Sequence, residues 1–422
     1  MSTKSLNKGK TLKSKQPKVL DLFAGAGGFS EGFVAAGSDM VAHIEMDKDA
    51  CNTIRTRMIY HKLKQIGKID EYEKYLLGKI KLVEIVEKYG LQKEFDSVIQ
   101  ARISKDNCPA LIREVQNKLE GDKVDVIIGG PPCQAYSHIG RASDKKHMRR
   151  DERKFLYEYY VEFLKVLQPK IFIFENVPGL LSAGKGIYLR QMRQLMKKVG
   201  YNTDLRILNM ADYGVPQERK RVILIGWNNK TSMKCYPEFG RIKRDYGVAD
   251  FLNDLPKLNS GQGINRFRFV SRSKLLIKLG IVSDQKLLLD HISRPHRKDD
   301  LEIYRIAVIN KKNGHNIKYN ELPDRLKTHK NQTGFLDRFK VVDFTKINSH
   351  TVIAHISKDG HYYIHPDLKQ NRSLTVREVA RIQTFPDDFL FEGSRTSQFR
   401  QIGNAVPPMF SKIIAQSILK FV

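Results

Sequence analysis

Cysteine is scarce in this 422-residue chain. Its four cysteines, Cys51, Cys108, Cys133 and Cys235, form no CxxC pair, which argues against a zinc site and against a disulfide framework. Acidic charge is also short. Asp and Glu number 46 against 74 Lys and Arg, a formal net charge of +28. Such an excess makes a polyanion the first partner to consider, because phosphate neutralisation supplies most sequence-independent affinity for nucleic acid. An anionic membrane surface is the competing explanation, and its signatures are missing. No apolar run approaches the ~20 residues a membrane span requires, and no cationic amphipathic helix of the interfacial kind stands out. The stretch MSTKSLNKGKTLKSKQPK holds no apolar core of a secretory signal, and 1–17 reads as a basic disordered tail. These absences point to a nucleic-acid-binding protein of a reducing, cytoplasmic compartment that needs no metal.

What is present is a series of short apolar runs, each ending in a turn of small or polar residues. DVIIGGPPCQAYS (125–137) carries the sharpest signal. Val124 and Val126–Ile128 suit a buried parallel strand, Gly129-Gly130-Pro131-Pro132 stops it, and Cys133 stands just past its carboxyl end. Ligands of open α/β sheets bind at that end of the strands, and two prolines aim whatever follows them. A lone cysteine in a turn is more often buried and inert, so its neighbours must decide.

Upstream, KVLDLFAGAGGFSEGFVAAG reads as strand, Gly-rich turn and helix. Gly25, Gly27 and Gly28 would let a ligand approach backbone amides near a helix N-terminus. The next strand ends at Glu45, seventeen positions after Gly28, where a carboxylate suits ribose hydroxyls, and Met46 beside it suits an adenine face. The segment 60–122, with Leu63, Ile66, Ile69 and Tyr72 at near-helical spacing, predicts an insert of two or three amphipathic helices. GRASDKKHMRRDERK (140–154) is a basic loop by composition, and beside a reactive cysteine it suits a lid over phosphates. A further strand, 171–174, ends in Glu175-Asn176-Val177-Pro178-Gly179, which puts a carboxylate beside the cysteine strand. Strands at 201–209 and 222–227 flank ADYGVPQERKR, where Arg219 and Arg221 would share a face if the strand already begins there. From Asn228 to Asn371 the βα alternation is replaced by short β-prone runs, turns and basic residues, which marks a second, smaller domain. Regular structure returns in 374–383, with Thr375 as N-cap and Glu378 completing a capping box, and the chain ends in an amphipathic helix.

Taken in order, these motifs resemble those of bacterial single-chain DNA (cytosine-5) methyltransferases. DLFAGAGGFS, IEMD, GGPPCQAYS, FENVPGL, QERKR and GNAVPP are similar to six family motifs, over 18–227 and 372–422. The resemblance implies a doubly wound, mostly parallel α/β sheet of the S-adenosyl-methionine-dependent methyltransferase fold, with catalytic parts at 18–227 and 372–422 and a loop-rich target-recognition domain at 228–371. It implies Cys133 as nucleophile, Glu175 as the residue bonded to N3 and the amino group of cytosine, and Arg219 with Arg221 as the arginine pair, Arg221 being the one nearer the base. Phe23, Ala24, Gly25, Gly27, Gly28, Glu45, Met46, Ile103, Pro131, Leu156 and Asn404 fall at positions that hold S-adenosyl-methionine, leaving S-adenosyl-homocysteine as product. Gln134, Ser137, Arg141 and Arg153 fall where the DNA passes. Arg102-Ile103 stands where the family carries an Asp for the adenine amino group, so that contact is missing or passes to another residue such as Asp106. The implied function is methylation of a short duplex DNA site by a monomer, paired with a restriction endonuclease or as an orphan methylase. The tRNA enzymes on this scaffold carry a Cys-Phe-Thr signature that this chain lacks, vertebrate-type enzymes carry large regulatory regions, and a non-catalytic regulator would have damaged motifs.

Overall fold

The apolar runs become the central strands of one sheet. The structure, a computed structural model, describes residues 15–132, 156–269, 273–282, 287–329, 331 and 333–422. Its strands are β1 (Lys18–Leu22), β2 (Asp39–Glu45), β3 (Val98–Gln100), β4 (Val126–Gly129), β5 (Ile171–Asn176), β6 (Asn202–Asn209) and β7 (Lys220–Trp227). They lie in the order β3-β2-β1-β4-β5-β7-β6. The first five run parallel, and β7 is antiparallel to both neighbours. The carboxyl ends of β1, β2, β4 and β5 therefore share one edge, the edge where such sheets bind ligands. Both faces are covered. Leu20, Leu22, Ile127 and Phe172 pack with Tyr160 and Phe163 on one side, while Val19, Val126, Ile128, Ile171 and Ile173 pack with Phe33, Phe410 and Ile414 on the other. This two-sided burial is why the strands read as unbroken apolar runs rather than alternating ones.

The terminal helix Pro408–Ile418 lies on α1 (Gly28–Ala35) and shares a core with Val19 of β1. A Cβ on Gly28 would stand 2.4 Å from the Val406 carbonyl oxygen, and one on Gly32 2.4 Å from the Lys412 nitrogen. Glycine at both positions is a requirement of helix contact, not only of phosphate-type binding. The Ser411 hydroxyl donates to the Phe29 carbonyl at 2.5 Å and closes the same seam.

Between β2 and β3 run α2 (Lys48–Gln65) and the helices Ile69–Leu76, Leu82–Tyr89 and Gln92–Asp96, with Cys108–Lys118 after β3. Residues 60–122 are largely helical, but in four helices after α2 instead of the two or three expected, and β3 of the central sheet falls among them. The predicted stripe is also interrupted. The chain turns at Gly67 with φ 69°, so Leu63 and Tyr72 are buried while Ile66 and Ile69 face solvent. The helix after Thr375 holds its predicted cap, Thr375 accepting from the Glu378 amide and Glu378 from the Thr375 amide.

Beyond β7, the described residues contain one two-residue ladder, Phe267–Arg268 against Leu287–Leu288, several short helices and one long one, Lys298–Lys312. The predicted short strands are few, and that 15-residue helix stands where loops were expected. The change of texture at Asn228 also precedes the edge of the packing: Met233, Tyr236 and Phe239 belong to the core under β7.

Candidate active site

The turn after β1 is shaped by backbone that most side chains resist. Phe23, Gly25 and Gly27 all have positive φ, at 58°, 56° and 77°, and the two glycines adopt it without the cost of a Cβ. Glu45, the last residue of β2, reaches back across this turn. Its Oε2 accepts the Gly25 amide at 2.8 Å, and its Oε1 accepts the amides of Met46 and Asp47, each at 2.8 Å. Burial pushes the Glu45 carboxyl upward, and those amides oppose the shift. Met46 projects from the same edge, 57% exposed, an apolar surface left uncovered at a strand end. Beneath the turn Asp21 is buried on β1, where desolvation raises it to about 7 against the Ser30 hydroxyl bonded to it at 2.5 Å. Glycine-opened backbone, a carboxylate at the second strand end and an exposed thioether make a cradle that fits a nucleoside with a charged tail.

The second half of the edge lies at β4 and β5. A Cβ on Gly129 would meet the Leu22 oxygen at 2.3 Å, and one on Gly130 would meet Glu175 Oε2 at 2.8 Å. The two glycines thus let β4 close against β1 and let the Glu175 carboxylate sit over the turn that leads to Cys133. Arg221 of β7 forms an ion pair with Glu175, Nε lying 2.9 Å from Oε1, both side chains largely withdrawn from solvent. Asn176 fixes the turn itself, donating Nδ2 to the Pro131 carbonyl at 3.1 Å. No role for Asn176 follows from the sequence motifs alone. Its place directly after Glu175, at the end of a strand beside β4, was the available signal.

The predicted arginine pair separates. Arg221 faces Glu175, whereas Arg219 is 1% exposed and donates to the carbonyls of Val352, Gly403 and Ala405 at 2.6, 3.3 and 2.9 Å. The strand begins at Lys220, so the alternation that would have given both one face does not reach Arg219. Ala24, Pro131 and Leu156 are buried at the sheet edge or in the flanking helix, and Phe23 packs partly against the core. Gly25 is half-buried, and Gly27 and Gly28 are buried at the start of α1. Asn404 is exposed at the end of helix Arg395–Asn404. Past β3, Ile103 is buried in the core while Arg102 and Asp106 are exposed. Asn107 ties that loop, accepting from the Ser104 amide and donating to the Arg102 carbonyl. Cys133, Gln134, Ser137, Arg141, Arg153 and the basic loop around them lie outside the described residues, as does most of the basic tail.

Among the described residues no helix is long and apolar enough to cross a membrane. Comparison with known proteins gives one direction. Residues 17–86 and 91–420 match the family model described as C-5 cytosine-specific DNA methylase. The chain is 41% identical to the type II methyltransferase M.Bpa9945I of Bacillus paralicheniformis, over 95% of this chain and 98% of the relative. It is 30% identical to the type II methyltransferase M1.HphI of Haemophilus parahaemolyticus, over 95% and 86%. Among solved structures, a putative DNA modification methyltransferase encoded within an E. coli prophage aligns with a TM-score of 0.64 at 22% identity, over 96% of this chain and 99% of that one. That likeness shows the fold, the mostly parallel sheet with helices on both faces.

Proposed function

This chain belongs to the C-5 cytosine-specific DNA methylase family, and on that premise we propose that it methylates carbon 5 of a cytosine flipped out of duplex DNA at one short sequence. The observation that carries the assignment of roles is the Arg221–Glu175 pair at 2.9 Å over Gly130, three residues from Cys133. S-adenosyl-methionine supplies the methyl group when bound, and the cradle of Phe23, Ala24, Gly25, Gly27, Gly28, Glu45 and Met46 fits it, with Ile103, Pro131, Leu156 and Asn404 as further candidate walls.

Carbon 5 of cytosine is too poor in electrons to attack a methyl group unaided. In the proposed reaction the Cys133 thiolate adds to C6, and a proton shared between Glu175 and N3 draws electrons into the ring. The resulting enamine is nucleophilic at C5, so one hard step is divided into easier ones. Arg221 holds the Glu175 carboxylate in place and brings positive charge to the pocket, and Asn176 fixes the Pro131 turn from which Cys133 departs. After methyl transfer the C5 proton leaves to water and the thiolate is expelled from C6, restoring the aromatic ring. None of these atoms is reachable inside a duplex, so the base must leave the stack at a cost of a few kcal/mol. The net charge of +28 and the basic residues Arg141 and Arg153 suit the distorted backbone, and Gln134 and Ser137 suit the strand left behind. The 228–371 segment reads the sequence, one chain suffices for the reaction, and protection of a site from a partner endonuclease is its use.

The test is transfer of labelled methyl from S-adenosyl-methionine with duplex DNA and tRNA offered side by side, followed by mapping of the modified base. Label on cytosine-5 in one recurring DNA context is expected. Label on tRNA alone would overturn the substrate and keep the chemistry.

A further inference from the structure

The helical insert grips the ladder of the second region from below. Helix Ile69–Leu76 ends at Leu76, whose carbonyl is among the last four that no intrahelical amide can reach. Arg266 donates Nη1 to that carbonyl at 2.7 Å, a cation at the negative end of a helix dipole. The Arg266 amide in turn donates to Leu288, so the residue that caps the insert helix also extends the Phe267–Arg268 ladder. Side chains repeat the contact. Tyr72, Leu76, Ile85 and Val86 of the insert share one buried core with Leu287 and Leu289, and Arg268 stands 3.9 Å from Glu73.

The opposite side of the ladder is held by the C-terminal part of the chain. Arg377 donates Nε to the Leu289 carbonyl at 3.0 Å. Insert and C-terminal part are themselves joined, Tyr75 donating to Glu392 at 2.5 Å and Tyr72 to the Asp388 carbonyl at 3.0 Å. Between the two strands of the ladder lies the short helix Lys274–Lys278, whose exposed Lys274 and Lys278 are spaced i, i+4 on one face while Leu276 is buried. Two cations presented on one face suit adjacent phosphates, contacts that set the register of a protein on DNA.

We propose that the insert's helices at 69–96 form a buttress that fixes the ladder of 266–268 and 287–289 against the cofactor-binding half, with Arg266 as the positioning residue for DNA engagement. The proposal rests on the DNA methylase reading above and deepens it. The insert thereby acquires a function. The α2 helix that begins beside Glu45 contributes Ile59, Tyr60 and Leu63 to the same core, so the cofactor side and the proposed DNA-reading segment share packing.

The experiment is steady-state methylation by the full chain carrying Arg266→Gln, on duplexes with the recognised site and with single-base variants of it, alongside cofactor affinity. The KM for DNA should rise roughly tenfold, the effect of one lost charge-assisted hydrogen bond. Both kcat and cofactor affinity should stay within about twofold of wild type, with near-cognate sites gaining relative to the cognate one. Arg266→Lys, which keeps the charge and a donor, should recover most of the KM. A folded Arg266→Gln with wild-type KM and site preference would overturn the proposal, and so would a loss shared equally by kcat and cofactor affinity. Should that variant fail to fold, Tyr75→Phe reads the same buttress from its other anchor, with a two- to threefold rise in KM expected and an unchanged KM counting against. Wild-type enzyme that methylates no DNA would overturn the functional reading instead, so the two failures are distinguishable.

Discussion

The sheet and the region beyond it satisfy their main chains by different means. From β1 to β7 each strand is answered by its neighbours, so side chains at the carboxyl edge are free to hold ligands. Between 228 and 371 the described residues offer one two-residue ladder and isolated bridges, and buried carbonyls there must find other donors. Arginines provide them. Arg219 reaches Val352, Arg372 reaches Leu258, Arg377 reaches Leu289 and Arg381 reaches Phe251. Arg372 and Arg381 are in turn neutralised by Glu378 and Asp387. A loop-built region is therefore tied to the catalytic part by guanidinium groups, whose several donors in a fixed fork suit scattered carbonyls. Substitutions should sort accordingly: at the sheet edge they change chemistry, and among the buried arginines they change folding.

The largest effect expected is on the edge. Cys133→Ser should lower methyl transfer at least about a thousandfold and leave the unfolding midpoint and the binding of DNA and S-adenosyl-methionine near wild type. A serine variant that transfers methyl at the wild-type rate would sink the nucleophile. Next comes the contrast between two residues that the sequence paired. Arg219→Met leaves the buried carbonyls of Val352 and Gly403 without a donor and Ala405 with Gln383 alone, and should cost about 3 to 5 kcal/mol in chemical denaturation. Arg221→Met leaves the largely withdrawn Glu175 without its partner and should cost only about 1 to 2 kcal/mol, less than Arg219→Met, while reducing kcat roughly a hundredfold, as loss of one positioned charge does. If the two variants behave alike, the division between edge and ties fails.

That contrast also marks what the sequence could show. Parallel strands buried on both faces announce themselves as apolar runs, and the turns at Gly25–Gly28, Gly129–Pro132 and Glu175–Gly179 follow because a strand must stop where its ligand begins. Arg219 was legible as an arginine but not as a tie, since Val352, Gly403 and Ala405 are far away in sequence. The same limit hid the role of Asn176 and the long helix Lys298–Lys312, whose core comes from Tyr319, Phe339 and Ile364. In the insert, helical spacing read straight through Gly67, where the structure turns, because periodicity carries no information about phase across a break. No role for the helical insert could be read from the sequence for a related reason: its partner, the ladder of 266–268 and 287–289, is nearly 200 residues away.

Buried titratable groups test the sheet itself. In the folded chain Asp21 is raised to about 7 by burial from its ordinary 3.8. The folded state therefore holds a proton that the unfolded state has released between those values, and stability falls as pH rises from about 4 to 7. His43 works in the opposite sense. Burial lowers it to about 3 from 6.5, so the unfolded chain takes up the extra proton and stability rises with pH between 3 and 6.5. Asp21→Asn removes only the first contribution and keeps an acceptor for Ser30. Its stability relative to wild type should improve by about 3 kcal/mol between pH 4 and 7, measured by urea unfolding at each pH. A pH-independent difference would mean that Asp21 is already ionised in the folded state, and the turn above it would need another source of rigidity.

The smallest effect expected is at Glu45, where the two regions' rules meet in one residue. Glu45 serves the main chain by accepting the amides of Gly25, Met46 and Asp47, as an arginine elsewhere serves carbonyls, yet it stands at the open edge where the ribose is proposed to bind. Glu45→Ala removes both roles. Because the released amides lie at a turn that water can reach, the folding cost should be about 1 kcal/mol, while cofactor affinity should fall roughly ten- to thirtyfold, the worth of hydrogen bonds to a charged group. Glu45→Gln should not restore that affinity, because one of its two acceptor oxygens becomes an NH2 group, which must either face a backbone N–H or be presented to the ribose in place of an acceptor. Calorimetric titration with S-adenosyl-methionine separates the two roles. Weakened binding in a stably folded Glu45→Ala places the ribose at this carboxylate, whereas unchanged binding would reduce Glu45 to a brace for the glycine turn and move the sugar to another wall of the cradle.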